Sequence, residues 1–278
     1  MFFKYLGGYT IKKYKLAIIG SGSLANIISK HIYEEMSDTY EILGFLVRNK
    51  EKARQLANSL NAKLYEDLDE VIEDRPDYII EAASPDLVRE IGVKILESGI
   101  NLIPLSVGAF ADKNFYEAAK NAALENKSRV HIPSGAVGGF DVLAASMLMG
   151  KAEVSIETEK APESLNGAPY LKGRELSQDK KEEVFRGSAK EAIKGFPKNV
   201  NVAVATALAT NGVEATRVSI DSLPDKKGNK HEIKLKGENI KISIAIESVP
   251  SPDNPKSSTL AAYSVIALLK RLVDPISF

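Results

Sequence analysis

The chain has 278 residues, with 37 basic and 37 acidic side chains and a formal net charge of zero, and it contains no cysteine. The length suits two domains or one large one. Balanced charge gives no general reason to expect nucleic acid or an anionic membrane as a partner, and the lack of thiols excludes disulfides, thiolate metal sites and cysteine nucleophiles while fitting a reducing cytoplasm, the compartment expected here.

No apolar run approaches the ~20 residues that span a bilayer. Histidines at 31, 131 and 231 are scattered, so no metal site is expected. The first residues, MFFKYLGGYTIKKYK, lack the apolar core of a signal peptide and read as an extension before the first strand.

Leu16 to Ala25 reads LAIIGSGSLA. Four apolar residues predict a short buried strand, three small residues break it, and an apolar helical run follows. Strand, glycine turn and helix in this order open a dinucleotide-binding unit. Gly20 lets the chain turn tightly, and Gly22 lets the backbone approach a pyrophosphate without a Cβ in the way. The helix beginning near Ser23 and Leu24 turns its free N–H groups and positive dipole end towards phosphate. Ala25 takes the third glycine position, where helix–strand packing needs only a small residue.

The pattern then alternates. A helix is expected over roughly Leu24 to Met36 and a strand over Glu41 to Val47. At the end of this strand an acid would hold the ribose hydroxyls of NAD, but Arg48 and Asn49 stand there. A cation at this place can receive the 2′-phosphate of NADP, so NAD, NADP or both remain open as cofactor. Helix is expected over Glu51 to Leu60, strand over Ala62 to Tyr65, and helix over Leu68 to Ile72. Tyr78 to Ala82 is the next strand, and its tail at Ala83 and Ser84 falls where loops cover the cofactor. Helix over Asp86 to Glu97, strand over Asn101 to Ser106, helix over Asn114 to Glu125 and a final strand over Arg129 to Ile132 complete this half. The fold class expected is α/β, a Rossmann-type doubly wound parallel sheet.

The texture changes at Pro133 to Asp141, PSGAVGGFD, where Gly135, Gly138 and Gly139 offer N–H donors at a helix start. A short helix over Val142 to Met149, with Asp141 as its cap, leads to a strand over Glu153 to Thr158. A polar excursion covers Ala161 to Lys181. A helix from Ala189 is capped by Ser188 or Gly187, and a buried helix spans Asn199 to Ala209. Strands follow at Thr216 to Asp221, Lys230 to Lys236 and Lys241 to Glu247. Thr259 to Leu272 is a last helix, with Leu260, Tyr263, Ile266, Ala267 and Leu272 spaced for burial, and it could pack back on the first half. This half reads as an α+β substrate domain. The expected division is residues 1–133 with 255–278 for the nucleotide and 134–254 for the substrate.

PSGAVGGFD, FPKNVNVA at Phe196 to Ala203, HEI at His231 to Ile233 and ESVPSPDNPKSS at Glu247 to Ser258 resemble the L-aspartate dehydrogenase family in order and spacing. The resemblance covers nearly the whole chain from Lys15. It implies NAD(P)-dependent oxidation of L-aspartate to iminoaspartate, or the reverse amination, feeding quinolinate and NAD synthesis, in a homodimer. It also implies that Ala136 and Asn201 contact the cofactor and that His231 is catalytic. Two departures stand out: Val-Arg-Asn ends the second strand, and Thr158-Glu159-Lys160-Ala161-Pro162 replaces the family's T-R-K-P-P.

The chemistry needs a base near neutral pH to take a proton from the substrate amine, a role that suits His231. Two substrate carboxylates need cations or N–H donors, for which Lys160, Lys198 and Gly135 are candidates and Arg217 a weaker one. His31 is expected at the surface, and His131 as a satisfied core histidine. Rival readings are a homoserine dehydrogenase-like or dihydrodipicolinate reductase-like enzyme, or a nucleotide sensor without turnover.

Overall fold

The computed structural model describes residues 13–197, 199–249 and 258–276. The N-terminal extension, Lys198 and the PSPDNP stretch lie outside these residues.

The first half builds a parallel sheet from β1 (Tyr14–Ile19), β2 (Tyr40–Leu46), β3 (Lys63–Tyr65), β4 (Tyr78–Glu81) and β5 (Asn101–Pro104) in the order β3-β2-β1-β4-β5. The connecting helices are α1 (Ser23–Glu35), α2 (Lys50–Ser59), α3 (Leu68–Glu73) and α4 (Pro85–Glu97), and α5 (Lys113–Asn126) follows β5. Side chains on a strand alternate between faces. Leu16 and Ile18 therefore pack under α1, whereas Ala17 and Ile19 pack under α4 and α5. Strand order reverses between β1 and β4, which opens a crevice beyond their carboxyl ends.

The strand expected at Arg129 to Ile132 shrinks to a single bridge between Leu102 and Val130. The Leu102 N–H donates to the Arg129 carbonyl at 2.9 Å and the His131 N–H to the Leu102 carbonyl at 2.8 Å. Pro133 then has no N–H with which to extend the ladder.

The second half carries α6 (Phe140–Leu148), β6 (Ala152–Lys160), α7 (Pro162–Leu165), β7 (Glu182–Ser188), α8 (Ala189–Gly195), α9 (Asn201–Leu208), β8 (Arg217–Ser222), β9 (Asn229–Gly237) and β10 (Lys241–Ser248). The sheet order is β10-β9-β6-β8-β7, so β8 and β9 do not pair with each other; β6 runs parallel to β8 and antiparallel to β9. A capping box between Ser188 and Glu191 starts α8 as its sequence promises. Gly139, not Asp141, caps α6: its φ is +73°, and a Cβ there would strike Ile244 of β10.

The last helix, α10 (Leu260–Val273), returns to the first half. Ala262, Val265, Ile266, Leu268 and Leu269 pack with Ala25, Ile28 and Ile32 of α1, and the Tyr40 hydroxyl donates to the Leu269 carbonyl at 2.7 Å. Leu260, Tyr263 and Ala267, expected to be buried, face outward; the 14-residue helix turns a different stripe to α1. Tyr263 instead flanks His31, which is half-buried rather than at the surface.

Candidate active site

The β1–α1 turn has the geometry a pyrophosphate needs. Gly20 has φ +114°, and a Cβ there would lie 2.6 Å from the Ala82 carbonyl oxygen at the end of β4. Gly22 is the N-cap of α1, no side chain caps that helix, and a Cβ at Gly22 would meet nothing within 4 Å. Ser23 and Leu24, half-buried, form the first turn. The Asn26 side chain donates back to the Ser21 and Gly22 carbonyls at 3.0 and 2.9 Å and braces the loop. First-turn N–H groups thus open onto free space with no acid in that turn, an arrangement that fits a dinucleotide phosphate.

Along the crevice, Arg48 is exposed beyond β2. Asn49 is the N-cap of α2, its side chain accepting from the Lys52 N–H at 3.2 Å, so its carbonyl is already engaged. Ser84 similarly caps α4 through Leu87, and the Ala83 N–H donates to Glu81 at 2.7 Å.

Glu81 is a residue that sequence reasoning missed. It is fully buried at the end of β4, and its carboxylate also accepts from the Ser106 hydroxyl at 2.8 Å and the Ser106 N–H at 3.1 Å. Burial pushes its carboxyl upward while these donors pull against that shift. One side chain thereby ties the loop after β4 to the loop after β5. The available signal was an acid closing an otherwise apolar parallel strand, Tyr-Ile-Ile-Glu.

The loop after β5 reaches the second half. The Gly108 N–H donates to the Asn201 side chain at 2.9 Å, and Val107 and Ala111 pack against Val204 and Ala205 of α9. Asn201 opens α9, and two residues earlier Asn199 accepts from the Lys160 ammonium at 3.3 Å. Ala136 is buried in the second core, and the Gly135 N–H donates to Ser264 of α10 at 3.0 Å. Gly135 is therefore engaged in joining α10 to the junction and has no free N–H for a substrate.

Lys160 ends β6 and His231 lies near the start of β9, on the buried face of the same sheet end. Lys160 is 5% exposed and His231 3% exposed. Burial lowers the Lys160 ammonium to about 8. Burial, reinforced by the Lys160 charge, lowers the His231 imidazole to about 3, so His231 is neutral at pH 7. The Thr158 hydroxyl lies 3.0 Å from His231 Nδ1. Ser222 of β8, the register neighbour of Lys160, is fully buried, and its hydroxyl finds no partner among the described residues. No carboxylate faces Lys160 among the described residues, whereas the exposed Lys181 and Lys190 and the half-buried Lys234 each have one.

Other candidates fall elsewhere. Arg217 begins β8, at the opposite end of that strand from Ser222, and is exposed. His131 is half-buried against Tyr78, its pKa lowered by burial and then by Arg129. No cluster of acids and histidines suited to a metal ion occurs among the described residues.

A family model described as "Aspartate dehydrogenase, C-terminal" matches residues 141–272, and one described as "Homoserine dehydrogenase, NAD binding domain" matches residues 20–133. An L-aspartate dehydrogenase of Methanosarcina mazei is 39% identical over 267 residues, covering 94% of this chain and 98% of that protein. The chain belongs to the L-aspartate dehydrogenase family. The L-aspartate dehydrogenase of Methanococcus maripaludis is 36% identical over 94% of this chain and 98% of its own length. The crystal structure of aspartate dehydrogenase from Thermotoga maritima superposes with a TM-score of 0.77 at 29% identity, covering 96% of this chain and all of that one. The family match spans both sheets, so the nucleotide crevice and the Lys160–His231 cluster belong to one enzyme architecture.

Proposed function

We propose that this chain catalyses the NAD(P)-dependent oxidation of L-aspartate to iminoaspartate, and the reverse reductive amination of oxaloacetate. The observation that carries the reading is a buried cation, Lys160, with no counter-charge among the described residues, beside a buried neutral histidine and tied towards a dinucleotide crevice by two hydrogen bonds, at Asn199 and Asn201. A dicarboxylate amino acid supplies what the cluster lacks. Its carboxylate satisfies Lys160 and offers an acceptor to Ser222, while its amine meets His231.

The bound nicotinamide supplies a hydride acceptor. The chain's own residues do the rest. Gly20, Gly22, Ser23 and Leu24 shape the phosphate cradle, Ala83 and Ser84 lie on its rim, and Ala136 and Asn201 stand towards the nicotinamide end. Asn201 holds Gly108, so the cofactor loop and the substrate side keep a fixed spacing, which a near-attack geometry requires. His231 takes the proton from the substrate ammonium. Its low pKa belongs to the ligand-free protein; burial is the larger cause, and a carboxylate placed on Lys160 removes the smaller one, the charge of that lysine. Arg48 is the cation available to a 2′-phosphate, and Asn49, whose Oδ1 caps α2, keeps its Nδ2 hydrogens to donate beside it. Lys198 remains a candidate substrate ligand.

In this reading residues 1–133 with 255–278 hold the nucleotide and 134–254 the substrate. The product feeds quinolinate and NAD synthesis, and the enzyme works as a cytoplasmic homodimer. The first experiment is NAD(P)H formation at alkaline pH with L-aspartate, with NAD and NADP run separately and L-homoserine, L-glutamate and L-alanine as controls. Turnover confined to aspartate supports the proposal; turnover with homoserine, or none despite cofactor binding, refutes it.

A further inference from the structure

His231 needs a defined orientation and tautomer to act as a base, because a neutral imidazole accepts a proton at only one nitrogen. No carboxylate touches His231 among the described residues; its Nδ1 lies instead 3.0 Å from the hydroxyl of Thr158. Thr158 faces His231 directly across the β6–β9 ladder, and both side chains are more than nine-tenths buried. A β-branched side chain on a central strand is stiff about χ1, so this contact is a rigid one. Resting on the reading of His231 as the base, we propose that Thr158 is a positioning residue that accepts the Nδ1 hydrogen of His231 and so leaves the Nε2 lone pair as the proton acceptor.

The proton balance is simple. An N–H bond of the substrate ammonium breaks, an Nε2–H bond forms, and the resulting imidazolium still donates from Nδ1 to the Thr158 oxygen. The freed amine electron pair then assists departure of the Cα hydride, which a nicotinamide bound in the crevice would accept, and the amino acid leaves the step as the protonated imine. A hydroxyl suits this site better than the carboxylate that often orients a catalytic histidine. A buried anion beside Lys160 would occupy the cation meant for the substrate and would repel both substrate carboxylates.

The test uses the full-length enzyme with 15N-labelled histidine. There are three histidines, and the His231→Ala spectrum assigns the signal of interest. In the unmutated protein His231 should show hydrogen on Nδ1 and an unprotonated Nε2. Thr158→Val should lose that single tautomer and lower kcat between about tenfold and a hundredfold, with cofactor affinity and aspartate KM within about twofold. Thr158→Ser should restore kcat to within about threefold, and it guards against a valine variant that folds poorly. Hydrogen found on Nε2 in the unmutated protein, or unchanged kcat in a folded Thr158→Val enzyme, overturns the proposal. Full turnover by His231→Ala overturns instead the assignment of the base, a result distinct from either.

Discussion

Replacing Lys160 with methionine should make the protein more stable and nearly inactive at once. The side chain keeps a similar unbranched stem, so packing is roughly retained. Burial brings the ammonium from an ordinary 10.5 down to about 8, and the group is 5% exposed, so solvent screens little of the cost. At about 1.4 kcal/mol for each tenfold change in equilibrium, keeping this charge inside costs the folded state about 3 kcal/mol at pH 7. The sign follows from the lowered pKa: below 8 the penalty is complete, and it fades as pH rises to 10.5, where the unfolded chain also releases its proton. Urea unfolding at pH 7 should show Lys160→Met more stable than the parent by about 3 kcal/mol, less whatever the lost contact with Asn199 contributed. The difference should fall to about 1 kcal/mol by pH 9.5. The parent should bind succinate, a dicarboxylate without an amine, about tenfold more weakly for each pH unit above about 8, and the variant should lose both the binding and its pH dependence. A variant less stable at pH 7, or a gain that does not change with pH, would refute the reasoning that Lys160 is a charge held for a ligand.

Gly20→Ala should lower stability and abolish cofactor binding together, because φ +114° and the Ala82 carbonyl 2.6 Å away leave no room for a Cβ. Gly22→Ala, whose Cβ meets no protein atom within 4 Å, should keep its melting temperature yet lose at least tenfold in cofactor affinity by fluorescence titration. Glu81→Gln should cost about 2 kcal/mol in denaturant unfolding, since its amide turns a donor towards the Ser106 and Ala83 donors, and cofactor Kd should rise with it. Arg48→Ala should raise the KM for NADP about fivefold and leave that for NAD unchanged in steady-state kinetics, as expected for an exposed charge.

Much of the first half was legible because local pattern and tertiary role coincide. In Leu16 to Ile19 every residue is buried on one face or the other, and the glycines that follow are required by the turn itself. The second half hides more. Glu182–Ser188 is a strand whose alternation is broken by a register shift between Glu183 and Phe185, so two buried residues stand side by side and no period of two appears. The Arg129 to Ile132 segment has strand composition but Pro133 cuts its pairing short. Glycines at 135 and 139 looked like anion donors; one bonds Ser264 and the other makes room for Ile244. His231 and Lys160 are candidates on residue type and motif alone, but their burial, their proximity and the Thr158 contact depend on strand order, which sequence does not state. The same holds for Glu81, whose partner Ser106 is 25 residues away.

The position of α10 has a consequence for how the chain is made. Ala25, Ile28 and Ile32 of α1 are covered by a helix that begins at Leu260, after all five strands of the second sheet. During synthesis the first half therefore emerges early with one apolar face open, and it closes only when the chain has passed through the second sheet and come back. Loop closure over more than two hundred residues makes that docking a late step. The Gly135–Ser264 bond then ties α10 to the segment that joins the two halves, so one helix closes the first core and fixes the start of the second half in the same step.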